Sequence, residues 1–102
     1  MPTYVTLINW TNQGIRTVRE TLDRADRAAE LAQKHGASLE RLYWTVGPYD
    51  LVGILEAPDE ESATAFALEA GSGGAVRTTT LRAYDREEMS GIIERLGPAP
   101  GA

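Results

Sequence analysis

The chain predicts an α+β domain, an antiparallel sheet with two helices on one face plus a C-terminal helix, and three observations predict it. Strand-like and helix-like segments follow one another in the order β-α-β-β-α-β, which is two β-α-β halves in succession. At the centre, Tyr43-Trp44-Thr45-Val46-Gly47-Pro48-Tyr49-Asp50-Leu51-Val52 sets two apolar, β-prone runs on either side of Gly-Pro and Asp turn chemistry, the pattern of a β-hairpin. Finally, 102 residues of which 42% are hydrophobic suffice for one two-layer core but not for two independent ones. A single domain over residues 1–96 is expected, followed by a mobile tail over 97–102 that offers the core nothing larger than alanine or proline.

Residues 3–10 read as the first strand, rich in β-branched and aromatic side chains and apolar on both faces. Thr11-Asn12-Gln13-Gly14 reads as a polar break, and from about Thr17 apolar residues recur at helical spacing through Val18, Leu22, Ala25, Ala28 and Ala32. His35-Gly36 closes that helix. Residues 38–46 form a second strand with Leu42, Trp44 and Val46 on the core face, and residues 51–57 a third. Pro58-Asp59-Glu60-Glu61 opens a second helix, placing carboxylates at its positive end. Ala63, Phe66, Ala67 and Ala70 point inward, and Gly71-Ser72-Gly73-Gly74 makes a tight connection onward. A fourth strand over 75–84 is expected inside the sheet, although its centre, Arg77-Thr78-Thr79-Thr80-Leu81-Arg82, is polar. Asp85 with Glu88 writes a capping box ahead of a helix carrying Met89, Ile92, Ile93 and Leu96.

This order is the ferredoxin-like arrangement. With Leu42, Trp44, Val46, Val52, Ile54, Leu81 and Ala83 toward the helices, the opposite face would present Tyr4, Thr6, Ile8, Tyr43, Thr45, Leu51, Leu55, Thr78, Thr80 and Arg82. Such a face is too apolar for water, and a second copy packed sheet to sheet would cover it, so a homodimer, with room for higher assembly, is expected.

Fifteen Asp and Glu against ten Lys and Arg give a net charge of −5, which opposes a phosphate backbone and argues against nucleic-acid partners. Without cysteine there is no disulfide, thiolate metal site or cysteine nucleophile. No run approaches the roughly 20 apolar residues of a membrane helix, and no basic leader opens the chain, so a soluble cytoplasmic protein without membrane contact is expected. His35, the single histidine, suits a helix-end role, and no carboxylate spacing organises a metal site, so neither metal nor cofactor is expected.

The motif Gly47-Pro48-Tyr49-Asp50 resembles that of the GYD domain family. The likeness extends to Leu7-Ile8-Asn9-Trp10-Thr11, Gln13-Gly14-Ile15, Tyr43-Trp44-Thr45 and Val76-Arg77-Thr78-Thr79-Thr80-Leu81-Arg82-Ala83-Tyr84, covering roughly residues 3–95. Some relatives carry a residue other than proline at the position of Pro48. The resemblance implies the dimeric α/β-barrel superfamily but no particular activity, because that fold serves cofactor-free oxygenases, small-molecule isomerases, haem-handling enzymes and ligand-binding modules alike.

Two groups of residues carry the functional expectations. Tyr49 and Asp50 are the candidates for catalytic proton transfer, and the same pair suits plain turn chemistry. Tyr43, Thr45, Thr80 and Arg82 are the candidates to line a pocket between two sheets, with Asn9, Trp10 and Arg77 in reserve. Arg77 and Arg82 differ by five positions and should point to opposite faces, so one functional arginine is expected rather than a clamp. The leading expectation is a homodimeric module binding a small apolar or aromatic metabolite with one anionic group. The alternatives are a cofactor-independent oxygenase, isomerase or cyclase, and a structural or regulatory module that binds another protein.

Overall fold

The first strand, β1 (Thr3–Trp10), leads into a short helix, α1 (Asn12–Arg16), where the sequence suggested only a break. The reason is a cap: the Thr11 hydroxyl accepts from the Gly14 amide at 3.1 Å, satisfying one of the free amides of a helix start. A 3₁₀ turn (Val18–Glu20) separates α1 from α2 (Thr21–Lys34), and the added turn rotates the apolar stripe so that Leu22 faces solvent while Ala32 is fully buried. Strands β2 (Ser38–Trp44) and β3 (Leu51–Glu56) form the expected hairpin. They are followed by α3 (Glu60–Ser72), N-capped by Asp59 through Ser62, then β4 (Val76–Ala83) and α4 (Arg86–Leu96), whose Asp85–Glu88 capping box is complete. These elements come from a computed structural model that describes residues 1–101; the tail expected over 97–102 runs one residue beyond them.

All pairings are antiparallel and the strand order is β2-β3-β1-β4, the ferredoxin-like order. β4 is therefore an edge strand, not an interior one, and its polar centre is the ordinary composition of an edge. The core lies between the sheet and α2 and α3, built on Tyr4, Leu55, Ala57, Ala63, Phe66 and Ala32.

That core corrects the expected assignment of faces. Leu42 and Trp44 do lie on the helix side, but Leu51, Gly53 and Leu55 of β3 are the buried set, while Val52 and Ile54 are half-exposed on the opposite face. A bulge in β2 between Leu39 and Arg41 is the cause: it pairs Leu42 with Gly53 instead of Val52, and a slip of one residue exchanges the faces of everything paired to it. Through the ladder, Tyr4, Thr6, Ile8, Thr78, Thr80 and Arg82 fall on the helix side as well. The uncovered face holds Val5, Leu7, Val52, Ile54, Leu81, Ala83 and Tyr43. Trp44 is 42% exposed rather than core, and Val46, past the end of β2, is wholly exposed.

Tyr4 is 4% exposed, and its phenol has no hydrogen-bond partner among the described residues. Burial first, then the charge of Glu60, holds its pKa above the usual tyrosine range. A raised pKa stabilises the fold below the unfolded value of about 10, and that contribution is lost as pH rises through the folded pKa. Tyr4→Phe removes both the orphaned hydroxyl and this titration. Chemical denaturation at neutral pH should show stability unchanged or raised by up to ~1 kcal/mol. The variant should also lose less stability than the parent above about pH 10.

α4 stands away from the rest. It barely touches any other element, and the body it extends measures 57 × 30 × 19 Å. The radius of gyration is 16.3 Å, against ~13 Å for a compact chain of this length. Met89, Ile93 and Leu96 are exposed along α4, an amphipathic stripe without a partner in the monomer.

Candidate functional site

The turn that dominated the sequence is a fastening. Gly47 takes a φ of +142°, a conformation side chains rarely adopt, and lets the chain reverse so that the Thr45 amide donates to Asp50 O at 2.8 Å. The Thr45 hydroxyl donates to Tyr49 O at 2.6 Å. Asp50 then secures the neighbouring strand twice: its amide donates to Ile8 O at 2.8 Å, and its Oδ2 accepts from the Trp10 amide at 2.9 Å. A carboxylate so placed satisfies a main-chain donor that β1 leaves free at its end.

The residues expected to line one pocket are dispersed. Tyr43 is exposed on the open face, Thr45 is held within the turn, and Thr80 and Arg82 belong to the edge strand on the helix side. The Arg82 guanidinium donates to Thr3 O at 3.2 Å and to Ala83 O, pairs with Glu88 Oε2 at 3.2 Å, and lies 4.4 Å from the Tyr84 ring centroid and 5.7 Å from that of Tyr4. It joins the sheet edge to the start of α4. Arg77, on the opposite face from Arg82 as its spacing requires, pairs in the ladder with Asn9 and is exposed. His35 caps the end of α2 and lies 3.0 Å from Glu69 Oε1, whose pKa the Lys34 hydrogen bond and then that of His35 hold below the usual carboxylate range. Among the described residues no group of three His, Asp or Glu is placed to hold a metal ion, and no helix is long and apolar enough to cross a membrane.

What the fold does assemble is a cavity of about 100 Å³ between the helix side of the sheet and α2 and α3. Both walls are built from small residues: Ala25 and Ala28 on α2, Ala70 on α3, Thr6 on β1, and Ala75 before β4. Alanines hold the helices against the sheet without filling the space, and Ile8, Leu42, Leu51, Phe66 and Val76 complete an apolar lining. Trp10, one of the reserve candidates, lies on its wall. Four polar residues also line it: Thr6, Thr21, Arg24 and Thr78. Arg24 donates to Thr17 O (3.0 Å), Thr17 Oγ1 (2.9 Å) and Gly14 O (3.2 Å). The Thr21 hydroxyl accepts from Trp44 Nε1 at 2.9 Å. Thr6, 3% exposed, has a hydroxyl without a partner among the described residues. Thr6 and Thr78 were expected on the opposite face of the sheet, and Arg24 and Thr21 were not singled out from the sequence; the available signal was an arginine inside an alanine stripe, at the position before Ala25.

Fold and cavity together define a small ferredoxin-like α+β domain with a hollow between its layers and one uncovered sheet face. The chain belongs to the GYD domain family, whose profile matches residues 4–93. It is 33% identical over 97 residues to a Thermus thermophilus protein named "Glutamine synthetase and cystathionine beta-lyase binding protein", the match covering 94% of this chain and 99% of that one. A crystal structure of a Thermus thermophilus protein is similar in fold, with a TM-score of 0.53 and 26% identity over 84% of this chain and all of that one.

Proposed function

We propose that the chain is a homodimeric docking module, two copies pairing through their open sheet faces and the pair binding a metabolic enzyme. The observation that carries the reading is the open face, where Val5, Leu7, Val52, Ile54 and Leu81 run as neighbours across three strands with no helix above them. Contiguous apolar surface of this kind is a mark of an association site, and antiparallel sheets pack face to face about 10 Å apart with their inner side chains interleaved. A two-fold axis through the face lets the same patch serve both copies. The partner class comes from the Thermus relative's name, so glutamine synthetase and cystathionine β-lyase are the enzymes proposed for this chain as well. The unpartnered stripe of α4 is the surface left for such an enzyme once the sheet faces are joined.

An enzymatic role for Tyr49 and Asp50 has less support, because the Asp50 carboxylate already accepts from a main-chain amide and neither residue lines the cavity. Gel filtration with light scattering tests the docking reading, using the source organism's own glutamine synthetase and cystathionine β-lyase. Alone, the chain should elute with the mass of a dimer, and it should comigrate with at least one enzyme. A chain ending at Tyr84 should remain dimeric and lose that comigration. A monomer would overturn the sheet-to-sheet pairing, and failure to comigrate with either enzyme would overturn the docking.

A further inference from the structure

We propose that the cavity between the sheet and the two helices is a binding site for a short branched or small-ring carboxylic acid, its hydrocarbon part among Ile8, Leu42, Leu51 and Phe66 and its carboxylate on Arg24 and Thr21. The site is distinct from the surfaces proposed for docking, and each can fail without the other.

Size sets the hydrocarbon part. The space is about 100 Å³, somewhat less than the roughly 150 Å³ that accepts benzene in an engineered apolar cavity. A branched chain of about four or five carbons is the matching body. Its surroundings are almost entirely aliphatic or aromatic, so burying such a group there is favourable and a larger polar molecule would lose its hydration without replacement.

Charge sets the head. Arg24 is half-buried, and in a chain of net charge −5 its guanidinium makes no ion pair with any carboxylate among the described residues. It is instead held by the Thr17 and Gly14 oxygens, which occupy three of its five donors and fix the plane of the fork. The remaining donors are free for an anion. Thr21, three residues earlier on the same helix face, accepts from Trp44 Nε1, which leaves its own hydroxyl proton to give. An arginine and a hydroxyl on one helix face, at the wall of an apolar hollow, make a carboxylate seat with a hydrocarbon slot behind it. The unpartnered Thr6 hydroxyl on the sheet wall favours a ligand with a second, weaker polar group such as an oxo or hydroxy substituent.

Amide NMR titration of the intact chain tests this with isovalerate, its neutral isostere isovaleramide, and acetate, all at neutral pH. Isovalerate should give saturable shifts at Thr6, Ala28, Leu51 and Phe66. It should bind at least ~10-fold more tightly than the amide, as expected for a charge-assisted bond over a neutral one, and more tightly than acetate, which lacks the apolar body. Arg24→Gln should erase the preference for acid over amide while keeping the cavity shifts produced by the amide. If that variant does not fold, Thr21→Val takes its place, and the preference should shrink. The proposal is overturned by cavity amides that do not move, by acetate matching isovalerate, or by an acid preference that survives the substitution.

Discussion

Gly14→Ala should be among the most damaging single-methyl changes in this chain, lowering the unfolding free energy by roughly 2 kcal/mol. A β-carbon on Gly14 would lie 2.0 Å from Ala75 O, 3.0 Å from Ala75 C and 3.2 Å from Trp10 Cδ1. The first two obstacles are main chain and cannot rotate away. That carbonyl also accepts from the Thr11 amide at 3.0 Å, while the Thr11 hydroxyl donates to Gly74 O at 2.5 Å. Making room therefore means separating the start of α1 from the loop before β4 and weakening both bonds. Overpacking costs ~1–3 kcal/mol and sometimes more, and the better helix propensity of alanine returns at most ~1 kcal/mol. The midpoint of thermal unfolding should fall by about 10 °C, taking roughly 4–8 °C per kcal/mol for a domain of this size. Gly91→Ala is the matched control, since a β-carbon there meets nothing within 4 Å on α4. It should be neutral or slightly stabilising. Equal, small effects at the two positions would show that the contact between α1 and the β4 loop is not rigid.

The contrast between Gly14 and Gly91 also marks how far the sequence could be read. Signals confined to a few neighbouring residues were legible: Asp85 with Glu88 gave a capping box, Gly47 and Pro48 a reversal, and Ala63 with Phe66 the buried side of α3. The assignment of faces depended on register, and register turned on a bulge. Leu39 and Leu42 carry the trace of it, because two leucines three apart cannot share a face of a regular strand, yet both line the cavity. Missing that odd interval moved Val52 and Ile54 inward and Leu51 and Leu55 outward, and with them Thr80 and Arg82 toward an imagined seam with Tyr43. The cavity was beyond reach for a different reason. A hollow is an absence of side-chain volume, and a run of alanines on α2 shows small residues without showing that Thr6 and Ala75 stand across from them.

Ile54→Glu should convert the proposed dimer to a monomer while leaving the fold of each copy intact. Ile54 sits on the open face between Val5 of β1 and Arg41 of β2, half-exposed in the monomer, so a glutamate there remains hydrated and gains a cross-strand arginine. Such a pair is worth ~0.2–1 kcal/mol, enough to offset most of the lost β-propensity. Between two sheets the same carboxylate would be removed from water, and two-fold symmetry would bury it twice. Taking an ion out of water costs several kcal/mol even with a partner charge beside it, and a net penalty of about 3 kcal/mol already weakens association by more than 100-fold. Sedimentation should then report the monomer mass, with far-ultraviolet circular dichroism like that of the parent. Any binding of the proposed enzyme that requires two α4 helices should fall with it. A variant that stays dimeric would move the interface off the sheet, and α4, already standing free with its apolar stripe exposed, would become the element through which copies meet.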